Sequence, residues 1–463
     1  MKYLSTRGGV EPVGFAEAVM MGLGTDGGLL VPERLPRLAP ETLRAWAGLR
    51  FQDLAVEVIA PFVGDAIPRA DLADLVERSY ASFSHPEVTP LHEAAGQRYL
   101  ELFHGPTAAF KDVALQLLGN LFEYLLARDG GELNILGATS GDTGSAAIYG
   151  VRGKARINIF ILHPKGRVSP VQERQMTTVL DANVHNVAVR GTFDDAQRIV
   201  KALFNDLDFK ASHHLGAVNS INWARILAQT VYYFYAWGRL SGGDPSRSVD
   251  FAVPTGNFGD VFAGFLARRM GLPVGRLIIA TNRNDILTRF VATGSYAKGE
   301  VYHTLSPAMD IQIASNFERY LYYLLDENAA AVRTLLAEMD QTGRMQVDGE
   351  RLKQVQADFG AHAVSDPETL AQIRATYQAS GYILCPHTAV GARAAAAAGT
   401  PDTVVLATAH PAKFNEAVRE AIGREAPPPP SLQGLMDRPA RSVDLDAEPD
   451  AVRALIRATL AAH

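Results

Sequence analysis

Three times along this chain of 463 residues, a run of strand-forming residues ends in a short polar turn and passes directly into a helix-forming run. Leu133-Asn-Ile-Leu-Gly-Ala138 leads into Thr139-Ser-Gly-Asp-Thr-Gly144 and an alanine-rich helix. Val249-Asp-Phe-Ala-Val-Pro254 leads into Thr255-Gly-Asn-Phe-Gly-Asp260 and a helix through Met270. Thr403-Val-Val-Leu-Ala407 leads into Thr408-Ala-His-Pro411, with a helix from about Asn415. Strands that alternate with helices are joined by crossovers, and this pattern gives α/β folds whose mainly parallel sheets carry helices on both faces. Further strands are expected at 98–103, 157–162, 184–189 and 276–281. Ligands of such sheets sit beyond the carboxyl ends of the strands, which places all three turns at a common edge.

Around this unit the chain divides into three expected parts. Residues 1–90 read as a mostly helical N-terminal domain. Residues 91–426 read as a two-lobed catalytic domain, with a polar, largely helical insertion at about 283–380. Residues 427–463 read as a linker, opened by Pro427 to Pro430, and a terminal amphipathic helix. The net charge of −6 and the lack of a basic block argue against nucleic acid as a partner. A single cysteine, Cys385, excludes an intrachain disulfide and a cysteine-based zinc site, so no metal is expected. That usage suits a reducing, cytoplasmic setting. No run approaches the roughly 20 apolar residues of a membrane span, and Met1 to Gly9 lacks the apolar core of a signal peptide.

Chemistry concentrates at four places. Lys111 lies in the first turn of a helix whose apolar residues, Ala114, Leu117, Leu118, Leu121, Phe122, Leu125 and Leu126, recur at helical spacing. The positive end of the helix and an apolar wall both disfavour an ammonium, so the amine becomes a nucleophile for a carbonyl; a solvated surface lysine is the alternative. Thr255 to Gly259 sets glycines where a backbone must approach closely, ahead of a helix N-terminus, which reads as a phosphate cradle or as a plain strand-to-helix turn. It is neither a nucleotide P-loop nor a dinucleotide fingerprint. Thr139 to Gly144 offers hydroxyls and another helix N-terminus to a small carboxylate, although Ser140 and Asp142 also read as helix caps. A third anion site is expected from Lys165, Arg167 and Ser169 together with Asn219, Ser220 and Arg225, whose guanidinium fork can hold two oxygens; surface charge plus a cap is the alternative. An activated lysine beside a phosphate cradle points to pyridoxal phosphate, with Thr408 set to hydrogen-bond its pyridine nitrogen. His104, His163 and His410 each precede Gly or Pro and read as turn residues.

Taken in order, these motifs resemble the threonine synthases, in the longer form found in many bacteria and fungi. The resemblance begins at Tyr3-Leu-Ser-Thr-Arg-Gly8 and Asp26-Gly-Gly-Leu-Leu-Val-Pro32 and includes His104 to Asp112. It continues through Thr139–Gly144, Asn219-Ser-Ile-Asn222, Thr255–Asp260, Thr281-Asn-Arg-Asn-Asp285 and Thr408-Ala-His-Pro-Ala-Lys-Phe414. It implies the tryptophan-synthase-β-like fold of fold type II pyridoxal-phosphate enzymes, with an added N-terminal domain. It also implies that Lys111 bonds the cofactor aldehyde, that Gly256, Asn257, Phe258 and Gly259 cradle its phosphate, and that Thr408 meets its ring nitrogen. Ser140 and Thr143 would hold the substrate carboxylate, and Asn219, Ser220 and Arg225 the substrate phosphate. The wider fold family usually carries asparagine where this chain has Asp142, so no role is assigned to that carboxylate. The implied reaction turns O-phospho-L-homoserine and water into L-threonine and phosphate, in a monomer or homodimer. Two alternatives stay open: a phospho-lyase of the same fold that releases 2-oxobutyrate, and a cofactor-binding relative without catalysis.

Overall fold

The computed structural model describes residues 1–139, 141–400 and 402–461. The apolar runs Val249–Pro254, Ile157–Pro164 and Thr403–Ala407 are buried along almost their whole length. Parallel strands covered by helices on both faces require such continuity. They belong to two sheets. The larger runs, in spatial order, Phe359–Ala363, Val274–Thr281, Val249–Pro254, Thr403–Ala407, Gln97–Glu101 and Leu91–Ala94. Its first five strands are parallel and the last, a hairpin partner, is antiparallel. The smaller sheet, all parallel, runs Val443–Asp446, Val184–Arg190, Ile157–Pro164, Leu133–Ala138 and Leu215–Gly216.

The Trp223–Ser241 helix, buried on nearly every side, packs on the helices Phe51–Val63, Lys111–Asp129 and Gly259–Arg269. The Lys111–Asp129 helix also meets the Asp142–Val151 helix at very short range. Glycine makes that approach possible, since a Cβ on Gly119 would sit 1.9 Å from the Gly150 carbonyl oxygen. The N-terminal stretch pairs Tyr3–Ser5 with Leu30–Pro32 and adds the helices Phe15–Met21, Pro40–Trp46, Phe51–Val63 and Arg69–Tyr80.

Strands also lie where helix or linker was expected, among them the pair Ser295–Ala297 and Arg344–Gln346 and one strand added to each large sheet. Segment 283–380 is largely helical, but its Phe359–Ala363 stretch forms the edge of the larger sheet, in register with Leu277–Thr281. Phe-Gly-Ala-His-Ala has no β-branched residue, and its pairing comes from tertiary position rather than propensity. After Pro430 the chain reaches back so that Val443–Asp446 pairs with Val187–Arg190, before the expected terminal helix, Pro449–Ala461.

Candidate active site

The loop before Lys111 is wound on one buried carboxylate. Asp112 accepts from the Thr107 backbone N–H at 2.8 Å and from its hydroxyl at 2.7 Å. Gly105 is required there, because a Cβ would lie 2.4 Å from that of Asp112. Burial pushes the Asp112 carboxyl up to about 6, against the pull of the Thr107 donors. A short antiparallel ladder then joins this loop to the 408–410 segment: Phe110 N–H donates to the Thr408 carbonyl at 2.8 Å and His410 N–H to that of Ala108 at 3.0 Å. Lys111, the first residue of its helix, is thereby set beside Thr408.

Lys111, Thr143, Ser220, Arg225, Gly256 to Gly259 and Thr408 all line one cavity. Burial lowers the Lys111 amine to about 8, with Arg225 and Lys413 pushing the same way and Asp142 and Asp112 opposing. Asn219 does not line the cavity; its side-chain oxygen accepts from Ile221 N–H at 3.1 Å within the turn. Ser140 lies outside the described residues. The 165–169 segment, expected to share the third anion site, stays away from the cavity. Lys165 pairs with Asp444 of the edge strand, Arg167 is exposed, and Ser169 caps the Pro170–Thr177 helix. Charge and turn signals in sequence do not distinguish a cap from a ligand contact.

The geometry of the Gly256–Gly259 loop suits an anion. Phe258 takes a left-handed backbone, φ +65°, held by its ring against Phe317, Tyr320 and Phe359. The Gly259–Arg269 helix starts there with no side-chain cap, leaving its first-turn N–H groups to the cavity. A Cβ on Gly256 would lie 2.7 Å from the Ala308 carbonyl oxygen. Opposite, Arg225 occupies the first turn of the Trp223–Ser241 helix, where the helix dipole disfavours a cation. It is 3% exposed, and its Nε and Nη1 have no hydrogen-bond partner among the described residues. Burial lowers its guanidinium only to about 10, so it stays charged at neutral pH. An uncapped helix end and an unanswered guanidinium in one cavity, next to a lysine of lowered pKa, fit a phosphate-bearing aldehyde cofactor.

Other residues complete the wall without having been singled out in sequence: Gln229, Asp260, Ala308, Met309 and His387. Gln229 was readable as the next residue on the Arg225 face, four positions on. His387 is buried; its Nε2 accepts from Ala308 N–H at 3.3 Å, and burial lowers it to about 4. Segment 283–380, functionally silent in sequence, supplies the supports. Asn316 donates from Nδ2 to the carbonyls of Asn257 at 3.1 Å and Ser220 at 3.0 Å, and Ser315 meets the Ser220 hydroxyl at 2.7 Å.

Asp142 is neither exposed nor a cap. Its Oδ1 accepts from Lys413 Nζ and from Gln172 Nε2, each at 2.7 Å, and Lys413 also donates to the Thr107 carbonyl at 2.7 Å. Burial alone would raise this carboxyl, but Lys413, Lys111 and Gln172 hold it well below the usual carboxylate range. The helix turn is capped instead by the Thr139 hydroxyl, which accepts from Gly141 and Gly144 N–H. The histidines weighed in sequence stand apart from this wall. His104 contacts Glu101 at 2.7 Å, and His410 accepts from Ala412 N–H at the start of a turn.

The comparisons with known proteins span the same ground. Residues 2–80 match the family described as threonine synthase N terminus, 85–409 that of pyridoxal-phosphate dependent enzymes, and 388–456 that of threonine synthase, C-terminal. The chain is 50% identical to a threonine synthase of Pseudomonas aeruginosa over 461 residues, covering 98% of each. A threonine synthase of Saccharomyces cerevisiae is 49% identical, over 91% of this chain and 89% of its own. Among solved structures, the pyridoxal-phosphate-bound threonine synthase from Brucella melitensis superposes with a TM-score of 0.96 at 48% identity, covering 99% of both chains. Such coverage reaches from the N-terminal strand pair through both lobes to the terminal helix, and the cofactor it indicates, pyridoxal phosphate, is one the cavity fits. The chain belongs to the threonine synthase family.

Proposed function

We propose that this chain converts O-phospho-L-homoserine and water into L-threonine and phosphate, and that the observation carrying the substrate is the buried, unpartnered Arg225 guanidinium. One anion site serves the cofactor phosphate; a phosphorylated amino acid needs two more. The Gly256–Gly259 loop takes the cofactor phosphate, Thr408 meets its ring nitrogen, and Lys111 meets its aldehyde. Thr143, with Ser140, takes the substrate carboxylate. Arg225 and Ser220, with Asn219 shaping the turn behind them, take the substrate phosphate. Bound there, pyridoxal phosphate supplies an aldehyde for amines and a ring that draws electrons from the substrate's α-carbon.

The chain's own groups do the rest. A lysine lowered to about 8 is uncharged in a useful fraction near neutrality, so its Nζ accepts protons as well as attacking a carbonyl. Lys111 Nζ takes the proton from Cα and, once it has passed that proton on, takes one from Cβ, and the phosphate leaves Cγ with the C–O electron pair. The oxygen of water then attaches to Cβ, and protons return to Cγ and Cα. Arg225 holds the leaving phosphate by charge-assisted hydrogen bonds that strengthen as charge develops on it. The Asp142–Lys413 pair cancels charge beside Lys111, so the amine's proton affinity is set mainly by burial. The chain acts in the cytoplasm as a monomer or homodimer; among the described residues no helix is long and apolar enough to cross a membrane. The division into 1–90, 91–426 and 427–463 belongs to the same proposal.

The test is a product assay on purified protein with O-phospho-L-homoserine, following phosphate, threonine and 2-oxobutyrate together. Equal phosphate and threonine are expected. Phosphate with 2-oxobutyrate would replace the proposal by a phospho-lyase, and no phosphate would remove the substrate.

A further inference from the structure

One group in the cavity wall has the wrong sign for its place. Asp260 is the second residue of the Gly259–Arg269 helix, at the mouth of the loop assigned to the cofactor phosphate, and it is 93% buried. A carboxylate at a helix N-terminus is ordinarily stabilised by the dipole. In this cavity it would face a phosphate dianion at close range in a low-dielectric wall, which is strongly unfavourable. Its two oxygens are treated differently. Oδ1 accepts from the hydroxyls of Tyr232 and Tyr233 on the adjacent helix, and Tyr233 also bonds the Asp260 carbonyl at 2.9 Å. Oδ2 is buried, without a hydrogen-bond partner among the described residues. A carboxyl whose one oxygen accepts from two donors and whose other, buried in the cavity wall, meets none has the hydrogen-bond inventory of a neutral acid.

Resting on the reading of the Gly256–Gly259 loop as the cofactor-phosphate cradle, we propose that Asp260 binds that phosphate as a protonated acid, donating Oδ2–H to it, so that loading the cofactor takes up one proton.

The surroundings agree. Burial raises the Asp260 carboxyl to about 7, and the tyrosine donors offset only part of that. No cation pairs with it among the described residues. From the Trp223–Ser241 helix, Tyr232 and Tyr233 contact Asp260 and Arg225 lines the cavity, and Lys111 and His387 stand on its other walls. The Phe317–Leu324 helix packs on the same element, but its charges are engaged elsewhere: Glu318 with Arg7 and Arg319 with backbone carbonyls. A phosphate dianion arriving beside Asp260 raises its proton affinity further, which is the direction that captures a proton near neutral pH.

The experiment is binding of 4′-deoxypyridoxine phosphate, a cofactor analogue with no aldehyde for Lys111, to the cofactor-free full chain across pH 6 to 9. Relative to Asp260→Asn, wild type is expected to lose affinity by about tenfold per pH unit above a break near neutrality. The variant keeps wild-type affinity at pH 6, because the amide Nδ2 donates where Oδ2–H did while its oxygen still accepts from the tyrosines. The same pH dependence in both chains overturns the inference, as does loss of binding by the variant at pH 6. Should Asp260→Asn not fold, Tyr232→Phe carries the test: removing one donor from Oδ1 moves the wild-type break to higher pH, and an unmoved break overturns the inference. Unphosphorylated 4′-deoxypyridoxine separates this from the reading beneath it. If it binds as tightly as the phosphate ester, the loop is not a phosphate site and both claims fall; if the ester binds tighter, only the pH arms decide on Asp260.

Discussion

Arg225 and Arg319 are both almost inaccessible, and burial lowers both guanidinium groups, to about 10 and about 9. They differ in what meets them. Arg319 donates to the Leu30 carbonyl from Nε at 3.1 Å and Nη2 at 3.0 Å, to that of Ile221 at 2.6 Å and to Asn316 Oδ1 at 2.5 Å. It joins the N-terminal strand pair, the turn that carries Ser220, and the residue that pins the Gly256–Gly259 loop. Arg225 has two nitrogens without a hydrogen-bond partner among the described residues. A buried polar group that is fully answered holds the protein together, whereas one left unanswered beside a cavity has bonding capacity to give a ligand. The same contrast separates the two sides of the molecule's centre. The 315–319 support is saturated with bonds; the cavity wall of Lys111, Arg225, Asp260 and His387 is not.

Substitutions make that contrast measurable. The largest effect is expected at Lys111, where alanine lowers turnover on the order of 10⁴-fold or more in the product assay. The same residue separates function from stability. Its folded pKa lies below that of the free side chain, so the folded state binds fewer protons between pH 10.5 and about 8, and stability falls as pH drops through that window. At pH 7 the whole penalty is present. Lys111→Met in the cofactor-free chain should therefore be more stable by up to about 3 kcal/mol in urea titration; a destabilised variant would show the amine to be better solvated than its surroundings indicate.

Arg319→Leu comes next, with a stability loss of about 3–5 kcal/mol, because two backbone carbonyls and Asn316 are left without donors. Arg225→Leu should cost less than about 1 kcal/mol in the same titration, since an unpaired buried charge is removed. It should raise the KM for O-phospho-L-homoserine on the order of 10²-fold, equivalent to about 2.7 kcal/mol. Similar unfolding losses for the two arginine variants would break the comparison. The smallest effect concerns His387. Its folded pKa of about 4 lies below the unfolded value near 6.5, so its stability contribution is complete above pH 6.5 and is lost as pH falls toward 4. His387→Gln removes that dependence, and the stability difference between wild type and variant should shift by about 2 kcal/mol between pH 7.5 and pH 5.

Sequence carried the fold far because its chief signals are local. A strand, a glycine-bearing turn and a helix N-terminus occupy a dozen consecutive residues, as at 249–260, and parallel topology follows from their alternation. The Lys111 helix was legible from the spacing of Ala114 to Leu126. The residues sequence reasoning passed over are those whose role depends on partners distant along the chain. Asn316 meets Asn257 and Ser220 across 59 and 96 positions. Lys413 meets Asp142 across 271, so the acid at a position that usually carries asparagine looked anomalous until its counter-ion was seen. Conversely, Lys165, Arg167 and Ser169 look in sequence like an anion site, and space assigns them to an edge-strand ion pair, the surface and a helix cap.

The strand order also constrains the history of each molecule during its synthesis. The larger sheet places Thr403–Ala407 between Val249–Pro254 and Gln97–Glu101, and the smaller sheet is completed by Val443–Asp446 against Val184–Arg190. Each sheet thus waits for a strand made more than 250 residues after the partner it must join. At about 5–20 residues per second, the gap lasts roughly 13–50 seconds on the ribosome. Through that time the Gln97–Glu101 strand keeps an open edge, and such edges pair readily with other chains. A nascent chain arrested before Thr403 should consequently hold chaperones, and one released after Asp446 should let them go.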